Sequence, residues 1–360
     1  MKSITFLMPP FQYSPVGGFK IALEYANRLV DDGFEVHVVY GDTTKYKKLP
    51  YKLKFKFFVK HILFRFHVLH RSVRIWFPLD ERIKEHNVYG LDYRFVPKTD
   101  LYICTGVDTA AYLNKYPISS VQKFYFIQGY ENWGRSDEEV RRTYHYPMKK
   151  IAVSQWLYQI IANEEGEPCI WVPNGFDCTK FYLTIPIEQK NKYAVSMLYH
   201  EAKIKGCETA FSALHMVKKE IPDLQVVLFG TPERPKFLPE WFIYYHQPSE
   251  ELHLKINNES AIYVAASINE GWGLTIGEAM LCGQAVVCSD NKGFREMAKD
   301  EETALLFPVG DAEEMAQKII RLIKDDDLRI RIANQGKEFI NAFEINKSYT
   351  KFKAALGLNE

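Results

Sequence analysis

The sequence predicts an α/β protein made of two doubly wound parallel sheets, one in each half of the chain. Its 360 residues, 47% of them apolar and 25% charged, are enough for two domains with a core each. Short apolar runs alternate with stretches of helical periodicity, and this alternation starts twice, at Ser3 and again at Tyr193. Because strands that alternate with helices form right-handed parallel units, each alternation predicts one open sheet.

The first half opens with two predicted strands around a helix. Pro9-Pro10 ends the short apolar run Ser3–Met8, which is therefore predicted as a strand and not as a signal peptide. Phe19–Val30 has helical spacing, and the Val-rich run Phe34–Tyr40 is predicted as a buried strand. The other elements predicted in this half are strands at Leu101–Thr105, Phe124–Gln128 and Ile151–Ser154 and a helix at Gln155–Asn163.

The second half repeats this order. Tyr193–Leu198 is predicted as a strand and Cys207–Lys219 as the helix that follows it. Asp311, with Glu314 three residues later, predicts a capping box at the start of a further helix. The other elements predicted here are strands at Gln225–Gly230, Ala261–Ala266, Gln284–Ser289 and Leu305–Phe307, and a helix at Glu250–Asn257.

A linker is predicted between the two alternations, in the region that holds Pro173-Asn174-Gly175 and the polar stretch 185–192. We expect a first domain over residues 1–184, a second over 185–342, and a C-terminal helix over 343–360 that returns to the first domain. Ligands of open parallel sheets bind at the carboxyl ends of the strands. The two domains are therefore expected to face each other across a cleft.

Charge and cysteine content narrow the partners and the compartment. Residues 1–180 carry 25 Lys and Arg against 19 Asp and Glu, a balance of +6, whereas residues 181–360 carry 21 against 26, a balance of −5. This asymmetry suggests that the two domains meet different partners. The six cysteines show no paired metal spacing, and the sequence has no membrane-spanning run. We expect reduced, buried thiols and a cytoplasmic protein.

The most informative segment is Glu270-Gly271-Trp272-Gly273-Leu274-Thr275-Ile276-Gly277-Glu278. It joins a predicted strand to a predicted helix, so its glycine-rich turn would point bare amides and a helix N-terminus at an anion such as a phosphate. The two flanking acids could then hold the hydroxyls of an attached sugar, which predicts a nucleotide-sugar site. Two alternatives are a Thr275–Glu278 capping box with no ligand and the carboxylate pair of a retaining glycosidase, which needs no phosphate-binding turn.

This segment, with Ala279-Met280, Cys282-Gly283 and Ala285-Val286-Val287 after it, resembles the signature of retaining family 4 glycosyltransferases of the GT-B fold. The resemblance continues in Val172-Pro173-Asn174-Gly175-Phe176-Asp177, in Lys205-Gly206 and in Gly17-Gly18. It implies that Glu278 binds the ribose of the donor nucleotide and that Glu270 faces the transferred sugar. The donor diphosphate would contact the turn formed by Gly271, Trp272, Gly273, Leu274 and Thr275.

Lys205 is the cation expected to meet the diphosphate, since Lys205-Gly206 lies between a predicted strand and a predicted helix. The family that the chain resembles pairs this lysine with an arginine five residues earlier, where this sequence has His200. Two residues are candidates for the missing charge. Lys203 could supply it directly, or His200 could donate a hydrogen bond while protonated.

Two short motifs of the first half are expected near the ligand. Gly17-Gly18 precedes the first helix, and its amides could hold donor or acceptor phosphate, or simply form a tight turn. Gln128 and Glu131 follow a predicted strand and are candidates for contacts with sugar hydroxyls, the alternative being ordinary loop polarity. Gln128 cannot serve as a base, because an amide does not accept a proton at neutral pH.

Residues 45–77 differ from the rest of the chain in composition. No acid occurs from Thr43 to Leu79. Basic residues interleaved with large apolar ones are typical of a segment in a membrane interface, which predicts peripheral contact with an anionic bilayer on the inner face of the cell membrane. A nucleic-acid site lacks a recognition motif, and a helix pair with a solvated basic face is the structural alternative. The basic residues are Lys45, Lys47, Lys48, Lys52, Lys54, Lys56, Lys60, Arg65, Arg71 and Arg74.

The function predicted from these features is transfer of a sugar from a nucleoside-diphosphate donor to a hydroxyl of a saccharide acceptor. The resemblance implies retention of anomeric configuration, proton uptake by the departing phosphate, and no metal or further cofactor. The membrane segment suggests a lipid-linked acceptor in surface-glycan assembly. The catalytic candidates are Glu270, Lys205, Gln128 and Glu131. A sugar-nucleotide epimerase of similar architecture and an inactive membrane-associated subunit remain as alternatives.

Overall fold

The computed structural model describes residues 2–42, 50–65, 71–164 and 168–358. The chain forms two compact units, one of residues 1–173 with 349–360 and one of residues 174–348. The chain thus changes unit at Pro173–Asn174 and again at Ser348–Tyr349, against predicted boundaries at 184 and 342. Backbone hydrogen bonds explain the early change, because Phe176 N–H donates to Phe343 O (2.8 Å) and Ile345 N–H to Phe176 O (3.0 Å).

The described part of the first unit contains a parallel sheet whose strands follow the order β3-β2-β1-β4-β5-β6-β7. The order reverses between β1 and β4, which makes this the switch point beside which ligands of doubly wound sheets bind. The strands are β1 (Ser3–Met8), β2 (Glu35–Gly41), β3 (Lys84–Val88), β4 (Leu101–Cys104), β5 (Lys123–Ile127), β6 (Lys149–Ala152) and β7 (Cys169–Trp171). The helices are α1 (Gly17–Asp31), α2 (Tyr51–Arg65), α3 (Val107–Leu113), α4 (Asp137–Tyr144) and α5 (Gln155–Ala162).

The second unit is built in the same way, around a parallel sheet of strand order β10-β9-β8-β11-β12-β13. Both predicted sheets are therefore confirmed. The strands are β8 (Asn191–Leu198), β9 (Gln225–Gly230), β10 (Phe242–His246), β11 (Ser260–Ala265), β12 (Ala285–Ser289) and β13 (Leu305–Phe307). The helices are α6 (Cys207–Glu220), α7 (Glu250–Glu259), α8 (Leu274–Leu281), α9 (Ala312–Lys324) and α10 (Asp326–Ile340).

The last helix, α11 (Ile345–Ala355), packs its C-terminal turns against the first unit. The ring of Phe352 stacks on Tyr25 at 4.4 Å, and Tyr349 Oη donates a hydrogen bond of 2.7 Å to Asp32. Lys353 Nζ lies 2.7 Å from the same carboxylate and lowers the pKa of Asp32. These contacts attach residues 349–358 to α1.

The structure bears on two further predictions, the capping box at Asp311 and the form of segment 45–77. Asp311 caps α9 by accepting the Glu314 N–H at 2.9 Å, while the Glu314 carboxylate pairs with Lys318 at 3.4 Å. In the described part of segment 45–77, which excludes residues 45–49 and 66–70, the structure shows helix α2 and a short 3-10 turn, Val73–Ile75. Among the residues that the structure describes, no helix is long and apolar enough to cross a bilayer.

Candidate functional site

The turn before α8 has the geometry of an anion site. Gly273 is the N-cap of α8 at φ 106°, a left-handed conformation that favours glycine, and a Cβ there would lie 2.7 Å from the Phe294 ring. A glycine has no side chain with which to cap the helix, so the first-turn amides depend on another partner. Because Gly273 is the cap, the predicted Thr275–Glu278 capping box is wrong. Glu278 instead lies buried one turn into the helix.

Lys205 and Glu270 meet at the carboxyl ends of β8 and β11. Lys205 Nζ lies 2.6 Å from Glu270 Oε1, and Ser267 Oγ donates to the same oxygen at 2.8 Å. Gly206 packs so closely on the end of β11 that a Cβ would lie 1.9 Å from Ala266 O. This contact places the lysine, 65 residues away in sequence, directly beside the acid.

The backbone of Glu270 is supported by residues that sequence analysis missed. Gly293 lies against it so tightly that a Cβ would be 2.3 Å from Glu270 O. Asn291 Nδ2 and Ser289 Oγ both donate to Ser267 O, at 3.0 and 2.5 Å. These residues lie at the end of β12 and directly after it, and they stabilise the Ser267–Glu270 loop from a strand that the motif does not include. A glycine directly after the Asp290-Asn291-Lys292 turn was the available signal.

His200 has a neutral, hydrogen-bonded geometry. Its Nδ1 accepts the Ala202 N–H at 2.9 Å, which leaves Nε2 to carry the proton of the neutral ring. Burial and the nearby Lys205 charge lower the pKa of His200. In the unliganded site at neutral pH the residue can therefore donate from Nε2 but supplies no charge. Protonation of His200 beside a bound diphosphate stays a prediction. Lys203 is exposed at the start of the turn that ends in Lys205.

The side chain of Trp272 packs in the core, so Trp272 can contact a ligand only through its backbone. The indole is 3% exposed and packs edge-on against Phe343 at 5.2 Å. One turn further along α8, Gly277 leaves room for Phe176, whose Cζ would lie 2.1 Å from an added Cβ. Aromatic packing on both sides therefore fixes the position of the α8 N-terminus.

The candidates of the first half lie together in the first unit. Gly17 begins α1 after Val16, whose apolar side chain cannot cap the helix. Gln128 Nε2 donates to Gly18 O at 2.8 Å and so ties the β5–α4 loop to the start of α1. The structure thus places Gly17, Gly18, Gln128 and Glu131 in one unit and His200, Lys203, Lys205 and the Glu270–Glu278 segment in the other.

Glu131 is turned towards the protein. Its Oε2 accepts the Val107 N–H at 3.0 Å, and a Cβ on Gly106 would lie 3.1 Å from Oε1. Burial raises the pKa of Glu131 to about 7, while the Val107 N–H and the Arg135 charge act in the opposite direction. The carboxylate therefore caps α3 in this structure.

Only part of the basic segment forms an exposed face. Arg71 is paired with Asp42 and Arg74 with Glu85, each at 2.7 Å, so their charges are offset by acids; the Arg71 side chain is also largely buried, whereas Arg74 is exposed. Lys45, Lys47 and Lys48 lie outside the described residues. In α2, Lys52 and Lys56 are exposed. Exposed apolar residues at helical spacing form a stripe, which we call the α2 stripe: Tyr51, Phe55, Phe58, Val59 and Ile62.

Comparison with solved structures shows the fold of the whole chain. Anabaena HepE in complex with UDP-glucose superposes with a TM-score of 0.73 at 16% identity, over 99% of this chain and 100% of that one. Sucrose-phosphate synthase from Thermosynechococcus elongatus gives a TM-score of 0.71 at 16% identity, over 98% of each chain. Together with the two parallel sheets, these likenesses define the GT-B fold.

Comparison of sequences finds similarity to glycosyltransferases. Residues 185–339 match the family described as glycosyl transferases group 1. The chain is 24% identical over 216 residues to the phosphatidyl-myo-inositol mannosyltransferase of Mycolicibacterium smegmatis, covering 57% of this chain and 56% of that protein. It thus spans little more than half the length of the curated relatives it matches. The match over residues 185–339 confirms the resemblance to glycosyltransferases found in the sequence.

A shorter match concerns a second transferase. The chain is 36% identical over 83 residues to the N-acetylgalactosamine-N,N'-diacetylbacillosaminyl-diphospho-undecaprenol 4-alpha-N-acetylgalactosaminyltransferase of Campylobacter jejuni, which is 23% of either protein. The printed names of both relatives include a lipid, phosphatidyl-myo-inositol in one and diphospho-undecaprenol in the other.

Proposed function

We propose that this protein is a glycosyltransferase that moves a sugar from a nucleoside-diphosphate donor to a hydroxyl of a saccharide acceptor. One observation carries the proposal. The second unit holds both the Lys205–Glu270 pair, at the ends of its strands, and the N-terminus of α8, which no side chain caps. A cation, a carboxylate and free amides are the groups that a sugar joined to a diphosphate requires. The match of residues 185–339 to the group 1 glycosyltransferases supports the same chemistry.

The leaving group of this reaction is an anionic nucleoside diphosphate, and its charge must be stabilised as the glycosidic bond breaks. Lys205 and the amides of Leu274 and Thr275 are suited to that task. Glu278, buried in α8, is proposed to bind the ribose hydroxyls. The UDP-glucose complex of HepE, which has the same fold, supports a nucleotide-sugar donor.

Retention of configuration and independence of metal are finer parts of the proposal. They follow from the family that the sequence resembles. Both can be measured in one reaction: NMR of the product gives the anomeric configuration, and activity after exhaustive EDTA treatment gives the metal requirement. We expect an axial or equatorial linkage identical to that of the donor and full activity after chelation.

The proposed acceptor is a lipid-linked saccharide of surface-glycan assembly, presented at the cytoplasmic face of a membrane. The α2 stripe and the exposed Lys52 and Lys56 support it, since apolar and cationic groups on one helix suit an anionic interface. Each lysine near such a surface contributes roughly 1 kcal/mol. The relatives named for phosphatidyl-myo-inositol and for diphospho-undecaprenol support the same class of acceptor.

Vesicle co-sedimentation tests the membrane part. Vesicles with phosphatidylglycerol should bind the protein, and Phe55→Glu with Lys52→Glu should reduce binding by at least tenfold. Phe237→Glu is the matched control, because Phe237 is 66% exposed in the second unit and should leave binding unchanged. Equal binding of wild type and the double variant would exclude α2 as the membrane contact.

Product analysis with and without acceptor tests the reaction itself. A transferase releases nucleoside diphosphate in step with acceptor glycosylation. An epimerase would change the sugar without an acceptor, and an inactive subunit would do neither. Glycosylated product that forms only when acceptor is present would therefore support the proposal against both alternatives.

A further inference from the structure

Two exposed aromatic rings stand on loops at the same edge of the first sheet. Tyr13, in the loop after β1, is 67% exposed, and Trp133, in the loop after β5, is 56% exposed. The Gln128–Gly18 hydrogen bond of 2.8 Å ties the second loop to the start of α1. Because β1 and β5 are parallel strands of one sheet, both loops lie at its ligand-binding edge.

The Tyr13 ring is supported from below. Tyr13 packs edge-on against Phe11 at 4.9 Å, and Phe11 in turn contacts the buried Tyr40 at 5.4 Å. Trp76 Nε1 donates to Gln12 O at 3.0 Å and so fixes the same loop. Large apolar rings held on a rigid scaffold and left open to solvent are the usual form of a binding contact, since little conformational entropy is lost when a ligand covers them.

Trp133 lies over the backbone of its own loop. Its ring reaches back over Gly129, where an added Cβ would lie 3.7 Å from the indole. The neighbouring Gln128 uses its amide N–H on Gly18 O, so its amide oxygen is available as an acceptor of a hydroxyl hydrogen. An apolar ring beside a polar amide matches a pyranose, which presents a face of C–H groups and a rim of hydroxyls. The C–H groups are attracted to the negative face of an aromatic ring.

We propose that Tyr13 and Trp133 form the platform on which sugar rings of the acceptor stack. The inference rests on the proposed function and adds the subsite and the chemical class that it recognises: the apolar face of a pyranose. The Phe11 ring that supports Tyr13 is itself 5.9 Å from the Arg71 guanidinium.

The charges near Trp133 favour a saccharide over a lipid surface as the ligand of the platform. Trp133 is followed by exposed Asp137, Glu138 and Glu139 in the first turn of α4. These carboxylates oppose approach to an anionic bilayer. Exposed Lys52 and Lys56 lie on α2, so we assign the two tasks to α2 and to the aromatic platform.

Saturation-transfer difference NMR tests the platform. The probes are the methyl α- and β-pyranosides of glucose, galactose, mannose and N-acetylglucosamine, each presented singly to the full chain. We expect signals from the ring C–H protons of at least one probe, reduced at least threefold in Tyr13→Ala and in Trp133→Ala and kept in Tyr13→Phe. Phe237→Ala, with 66% exposure in the second unit, is the matched control and should keep the signals.

Two further measurements make every outcome decisive. Binding of UDP-glucose and GDP-mannose is measured on the wild type and the same variants. A wild type that binds neither donor would count against the proposed function and not against the platform. The platform would be overturned if the wild type gave no saturation-transfer signal with any probe, or if the signals were unchanged in both alanine variants. Reduced binding to phosphatidylglycerol vesicles with unchanged sugar signals would assign the two rings to the membrane instead and would also overturn it.

Discussion

Lys205 and Glu270 neutralise each other in the unliganded site, with Nζ 2.6 Å from Oε1 and both side chains partly exposed. The lysine therefore already has an anionic partner at the place where the proposed diphosphate would bind. Ser267 holds the carboxylate by a second hydrogen bond of 2.8 Å. Donor binding must then exchange one anion for another at Lys205, which leaves Glu270 free to turn to the sugar.

Lys205→Met should weaken binding of the nucleotide-sugar donor. Hydrogen bonds to charged groups contribute about 1.5–3 kcal/mol, so we expect a rise in Kd of roughly 10- to 100-fold. Calorimetric titration with the donor measures the change. Lys236→Met removes an exposed lysine elsewhere in the second unit and is the matched control, with an expected change below about threefold. Similar losses for both lysines would show that the site responds to general charge and not to the Lys205 contact.

Gly293→Ala should impair the site without changing its charge. Gly293 has φ −71°, which alanine adopts freely, so the effect comes from the Cβ that would lie 2.3 Å from Glu270 O. Overpacking of this kind costs about 1–3 kcal/mol. We expect a lower melting temperature and weaker donor binding. Gly310→Ala, at φ 85° with open space around the Cβ, should lower stability alone. Normal donor binding by Gly293→Ala would contradict the role given to the Glu270 loop.

Affinity for the donor should rise as the pH falls. The pKa of His200 is lowered in the free protein by burial and by Lys205, and an adjacent diphosphate would raise it. A group whose pKa rises on binding strengthens binding below its bound-state pKa, and the gain is lost as the pH rises through that value. UDP-glucose has no phosphate group that titrates near neutrality, so its Kd between about pH 8 and pH 5.5 reports the protein.

The histidine can be checked by substitution. His200→Arg restores the charge that the related family carries there, and it should bind the donor more tightly with a weaker pH dependence. His200→Asn should also lose the pH dependence but without the gain. A pH profile that is the same in wild type and His200→Asn would exclude the histidine as its source.

Glu131 should make folding stability depend on pH. Its pKa in the folded protein is about 7, above the ordinary value of 4.5, because burial disfavours the carboxylate. Between these two values the folded state keeps a proton that the unfolded state has released, so stability falls as the pH rises from about 4.5 to 7 and is level above. The loss is on the order of 2–3 kcal/mol. Chemical denaturation of wild type and Glu131→Gln at about pH 5 and pH 8 measures it, since the variant should lack this contribution.

The alternation of apolar runs and helical stretches was enough to predict both sheets. Interior strands such as Ser3–Met8 and Ala261–Ala266 are apolar on both faces, which is a strong local signal. The missed strands β3, β7 and β10 lie at sheet edges. There, sequences such as Lys84–Val88 are mostly polar and gain their strand form from one neighbour, which a local pattern does not show.

The site was predictable where it is contiguous and unpredictable where it depends on tertiary contacts. The Glu270–Glu278 turn is a single stretch of chain, and the left-handed Gly273 follows from its glycine. The pairing of Lys205 with Glu270 required the register of β8 beside β11. The neutral state of His200 depends on its bond to Ala202, and the capping role of Glu131 depends on Val107. Contacts of this kind cannot be recognised from the spacing of residues in the sequence.

The central claim is that the second unit holds a nucleoside-diphosphate sugar through Lys205, the α8 N-terminus and Glu278. A thermal-shift panel of UDP-, GDP-, dTDP- and ADP-sugars on wild type and Glu278→Ala tests it most directly, because at a fixed concentration a ligand that binds the folded state more tightly raises the melting temperature further. We predict that at least one donor stabilises the wild type and that Glu278→Ala binds it more weakly by about 1.5–3 kcal/mol. A wild type that no donor stabilises, or a Glu278→Ala variant that binds as well as wild type, would contradict the account.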